Sequence, residues 1–160
     1  MRTFFTIALI SLLALFSSCH KDNAIATLPS RNMIFMDSTF RMVSFIADSN
    51  AIKTLSVLAD GNTLISNDMT VMFSHALPVA SGMYTVVNGI AGHAHLNVNE
   101  VYILLNISGA YGAPFFSAGS GSVSVSMANN KMTLSGTNID MVFFDNVADS
   151  SKLSFNITQQ

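Results

Sequence analysis

The chain has a single cysteine, Cys19, in 160 residues. That excludes an intrachain disulfide, and with it the Cys-rich ligand sets of structural zinc. Charge is also scarce: 10% of residues are Asp, Glu, Lys or Arg, and the formal net charge is −2. Without Arg2, six cations face nine anions, about −3, and no basic stripe is present. A phosphate backbone would find nothing to bind, so no nucleic-acid partner is expected. A membrane-spanning helix needs roughly 20 apolar residues, and the apolar segment Phe4–Phe16 supplies about 13. Beyond it, no stretch carries a sustained helical period. Ser, Thr and Asn provide most of the polarity, as on exposed strand faces. The Glu and Lys that solvate the outer faces of helices are few.

The amino-terminal residues have the layout of an export signal. Arg2 is a short positive region, Phe4–Phe16 an apolar region, and Ser17-Ser18 are small residues before a cut. The sequence Phe16-Ser17-Ser18-Cys19 resembles the lipobox of bacterial lipoproteins, in which an apolar residue and two small ones precede an invariant cysteine. The resemblance implies that the signal helix, residues 1–18, is removed. Cys19 then becomes the first residue and carries diacylglycerol and a further acyl chain such as palmitate. Two or more chains hold a protein stably on a bilayer, because each buried CH₂ contributes about 0.8 kcal/mol. His20, rather than Asp, follows Cys19, so the inner-membrane retention signal is absent. The Lys21-Asp22 pair is similar to the start of surface-exported lipoproteins of the Bacteroidota. The expected address is therefore the outer membrane, on its periplasmic or surface face. Residues 19–32, with Pro29 and no period, read as the acylated cysteine and a flexible tether.

Residues 33–160 read as one domain with apolar positions at a period of two. Thr39–Ala47 is strand-like, and "AIKTLSVLADGNTLIS" reads as a hairpin about Asp60-Gly61-Asn62. "DMTVMFSHAL" sets Met69, Val71 and Phe73 on one face. "HAHLNVNEVYILLNI" alternates and then turns fully apolar from Val101. "GSVSVSM" and "KMTLSGT" flank Ala128-Asn129-Asn130, followed by "NIDMVFF" and then "KLSFNIT", with Leu153, Phe155 and Ile157 on the inner face. Nine to ten short strands joined by turns imply an all-β fold. We expect an antiparallel β-sandwich of jelly-roll or Ig-like type, with a lipocalin-like β-barrel as the alternative. "LPVASGMYTVV" through "GSVSVSMANNKMTLSGTNIDM" is similar to small Bacteroidota lipoproteins of unassigned function, which implies the same fold and address and no particular activity.

Residues that could carry chemistry are few. His93 and His95 stand at i and i+2, which places them on one face of a strand, and His75 is a candidate third ligand for Zn or Cu. No carboxylate lies near His93, and Glu100 falls on the opposite parity, so nothing orients the rings. Exposed structural histidines, and no metal or other cofactor, are expected. Most aspartates sit in turn contexts; Asp140, within a strand, is the exception. No Gly-x-Ser-x-Gly elbow is present, and "SAGSGS" at 117–122 lacks the Lys and helix of a phosphate loop. Tyr111, Phe115 and Phe116 fall in a Gly/Pro-containing loop, where they either pack beneath it or form an aromatic rim for a glycan or protein partner. The nine methionines beyond the signal segment suit ordinary core filling or an adaptable apolar pocket. The leading expectation is a lipid-anchored, non-enzymatic binding or structural module. A barrel carrying a small apolar ligand is the alternative, and a glycan-active enzyme follows behind it.

Overall fold

The structure, a computed structural model, describes residues 28–60, 65–77, 79–90, 95–108, 114–144, 146 and 148–160. The signal segment, Cys19, the tether up to residue 27, Gly61-Asn62, His93 and Tyr111 lie outside the described residues. The all-β expectation holds, and no helix occurs among the described residues. In chain order the strands are β1 (Asn32–Phe35), β2 (Ser38–Asp48), β3 (Ala51–Leu58), β4 (Ser66–Phe73) and β5 (Gly82–Val86). They continue with β6 (Glu100–Ile107), β7 (Phe115–Ser117), β8 (Ser122–Ala128), β9 (Lys131–Phe143) and β10 (Ser150–Thr158).

All ten form one sheet whose pairings close on themselves. The order β10-β1-β2-β3-β4-β6 leads to a strand with two partners on its far edge. β5 pairs the start of β6 at Glu100 and Val101, while β7 pairs its later half at Leu104 and Leu105. Both routes reach β9, directly from β7 and through β8 from β5. β9 then pairs β10 and completes the circuit. One pairing departs from the antiparallel expectation: β5 runs parallel to β6. Parallel neighbours need a crossover of about a dozen residues, and residues 87–99 supply it.

The apolar alternation is what closes the sheet around a core. Met33 and Phe35, Phe40 and Met42, Met69, Val71 and Phe73, and Leu153, Phe155 and Ile157 all point inward and are buried in one cluster. Burying each such side chain stabilises by about 1.5–3 kcal/mol relative to leaving it in water. The β8–β9 hairpin turns through Asn129 and Asn130 at φ 51° and 57°, the left-handed pair that a two-residue hairpin turn requires.

β9 is longer than its sequence suggests. "KMTLSGT" and "NIDMVF" form one continuous strand with a bulge where the register shifts between Leu153 and Phe155. Asn138 takes φ 54° there, and its N–H donates to Ser154 Oγ at 2.9 Å. The bulge bends the strand around the core. Beside it, a Cβ at Gly136 would lie 2.6 Å from Ile139 Cδ1 and 3.0 Å from the Phe155 ring. A larger residue there would have to displace the ends of the Ile139 and Phe155 side chains.

Candidate functional site

Antiparallel register sorts the connections onto two rims. The chain enters at Leu28–Arg31 on one rim, shared with the Ser49-Asn50 turn, the connection after β4, the start of β6 and the Asn129-Asn130 turn. The opposite rim carries the Met36-Asp37 turn and the connections that follow β3, β6 and β9. On the entry rim, the Asn156 Nδ2 group donates to the Leu28 carbonyl at 2.7 Å, and the Met42 N–H donates to the Arg31 carbonyl at 2.8 Å. Leu28 and Arg31 are thereby tied to the sheet before β1 begins.

The distal rim holds a concavity of about 380 Å³ lined by Met36, Phe115, Phe143 and the segment Ala148–Ser151. Phe115 stacks edge-on with Phe35 at 5.0 Å and packs against Phe143 at 5.1 Å. Phe116 meets Phe144 at 5.7 Å. Phe115 and Phe116 are buried, at 3% and 6% exposure, whereas Phe144 is 52% exposed. The loop expected around Phe115 and Phe116 is instead strand β7, formed because both residues find partners on β6 and β9. Their rings serve packing first, and Phe115 alone of the two lines the concavity.

Of the three candidate histidines, the structure describes His75 and His95, and neither lies within a strand. The alternation expected to reach β6 does not make a strand over residues 95–99: β6 begins at Glu100, and Val98 is 67% exposed. His95 is exposed. His75 lies beyond β4, paired with Ser74 Oγ at 2.7 Å, and lines a concavity of about 270 Å³ with Tyr84 and Asn99. Among the described residues no three His, Cys, Asp or Glu side chains converge as metal ligands. Glu100 is engaged locally: the Asn97 N–H donates to it at 2.8 Å and the Asn97 amide also reaches it. Both contacts hold its carboxyl below its ordinary value.

Asp140 faces a cation rather than water alone. Lys152 stands directly opposite it on β10 and forms an ion pair with it. Ser120 donates to the other carboxylate oxygen, delivered by Gly119 and Gly121 at φ 92° and 98°. The ammonium first, and the hydroxyl second, hold the Asp140 carboxyl below 3.8. A carboxylate stabilised in this way is a poor base, so the trio ties a loop to two strands.

Two further groups escaped sequence reasoning, and both are buried polar side chains. Ser117, at 0% exposure, donates to the Val87 carbonyl at 2.6 Å and accepts from the Ile103 N–H at 3.1 Å. It knits the crossover, β6 and β7 together. On the β3–β4 wall, Thr54, Ser56 and Asn67 also point inward. Neither polar atom of the Asn67 side chain nor Thr54 Oγ1 has a protein partner. Each unpaired buried group costs about 1–3 kcal/mol. The signal was available: Asn67 shares parity with Met69, Val71 and Phe73, and Thr54 and Ser56 with Ile52.

A third concavity, of about 440 Å³, lies at the entry rim and is lined by Ser30, Arg31, Asn32, Arg41, Met42, Val43 and Gln160. No protein-family model, curated protein or solved structure matches the chain. No helix among the described residues is long and apolar enough to cross a membrane, which leaves strand-built spans unaddressed.

Proposed function

We propose that this chain is a lipid-anchored protein of the bacterial outer membrane, acylated at Cys19, whose all-β domain acts as a non-enzymatic binding or structural module. The lipobox-like Phe16-Ser17-Ser18-Cys19 behind a short apolar region carries this reading. The fold is compatible with it: the chain arrives at one rim, where Arg31 and Arg41 line a concavity on the side of the anchor. Each cation held near anionic headgroups adds about 1 kcal/mol of attraction to the acyl chains. The opposite rim, with the Phe115–Phe143 concavity and exposed Phe144, is then the surface presented to a glycan or protein partner.

The test is the mature amino terminus. Mass spectrometry of the membrane-fraction protein is expected to find a first peptide beginning at Cys19 and bearing diacylglycerol plus an acyl chain. Cys19→Ala is expected to leave the precursor unprocessed and without acyl groups. A mature product that starts at another residue, or that carries a free thiol, overturns the proposal. The alternative, a carrier of a small apolar ligand, draws on the closed strand circuit. It predicts a bound lipid in native mass spectra of the purified protein.

A further inference from the structure

We propose that the inner wall of β3 and β4 is an internal water-binding site, where an ordered water joins the Asn67 carboxamide to the Thr54 hydroxyl. Thr54, Ser56 and Asn67 are 2%, 1% and 0% exposed. Strand register sets Ser56 directly opposite Asn67 and Thr54 opposite Met69, so Thr54 and Asn67 are diagonal neighbours on one inner face. Diagonal neighbours across an antiparallel pair lie about 7–8 Å apart, with their Cβ atoms somewhat closer. That separation disfavours a direct bond between a short hydroxyl and a carboxamide, and a single bridging molecule spans it.

Apart from the Ser56 hydroxyl opposite Asn67, the surroundings are apolar. Met42 faces Ser56, Phe45 faces Thr54 and Ile107 faces Asn67 on the adjoining strands, so the patch is ringed by apolar side chains. Asn67 Oδ1, Asn67 Nδ2 and Thr54 Oγ1 are all buried without a protein partner. A carboxamide offers donors and an acceptor, and a hydroxyl offers both. Together they give the two to four hydrogen bonds that hold a buried water. The guest must be uncharged, because none of the buried residues among those described is charged and an ion would lack a counter-charge. Water can both donate and accept, so it can bridge the carboxamide and the hydroxyl in the least volume.

The experiment is a crystal structure of the purified protein at a resolution that shows waters, paired with NMR in solution. We expect density within hydrogen-bond distance of both Asn67 and Thr54 Oγ1, and a nuclear Overhauser effect of long-residence sign from the Asn67 amide protons to water. In Thr54→Val/Asn67→Leu, with the fold checked by circular dichroism, the density is lost. Should that variant not fold, the wild-type density and NMR signal decide alone. Asn67 bonded directly to Thr54 or Ser56 with no intervening density overturns the proposal. So does an organic molecule at that place.

Discussion

Ser117 and Asn67 are both at 0% exposure, on opposite sides of β6, yet they live by different rules. On the β6–β7 side, the Ser117 hydroxyl donates to one backbone carbonyl and accepts from one backbone N–H, so the buried polar atom is itself a fastener. On the β3–β4 side, Asn67 and Thr54 face each other diagonally with apolar side chains around them and no protein partner. Burial of a polar side chain is thus no measure of what it contributes. What counts is whether backbone groups depend on it. At Ser117 they do, because three-residue β7 is too short to satisfy the crossover and β6 through its ladder alone.

The largest effect that follows is at the fastener. Ser117→Ala leaves the Val87 carbonyl and the Ile103 N–H without their partner and is expected to cost about 2–3 kcal/mol in urea unfolding. A smaller loss would mean that these groups re-pair within the ladder. On the other wall, Thr54→Val/Asn67→Leu replaces polar atoms by apolar ones of similar shape. Its unfolding free energy is expected to stay within about 1 kcal/mol of the parent; a loss like that at Ser117 would erase the contrast between the walls. The smallest effect belongs to the outer surface. The side chains of Lys152 and Asp140 are 60% and 34% exposed, so solvent screening limits the pair, and Lys152→Met should cost about 0.5 kcal/mol. Its sign with pH follows from the depressed Asp140 carboxyl. The contribution is fully present above the ordinary aspartate value of 3.8 and is lost as pH falls through the lower folded-state value. Unfolding curves of parent and variant should therefore converge only in strong acid.

Much of the fold could be read along the chain. The β8–β9 hairpin and the inward set Leu153, Phe155 and Ile157 obey a local alternation bounded by turn residues. Elsewhere, local pattern misled. The alternating residues 95–99 form no strand, while Phe115 and Phe116, flanked by Gly and Pro, become strand because β6 and β9 both offer an open edge. The break suggested at Gly136–Asn138 is a bulge inside one strand, stabilised by β10 across the sheet. The polar inward positions were legible as parity; whether they found partners was not.

The amino-acid order by itself determined the all-β class, most inward faces and the two-asparagine turn, because period-two burial and left-handed turn residues act over a few neighbours. Closure of the sheet, the parallel β5–β6 pairing, and the fates of Ser117 and Asn67 depend on strands far apart in sequence. Those were decided only in tertiary structure, since a hydrogen bond between distant backbones exists only after the core has brought them together.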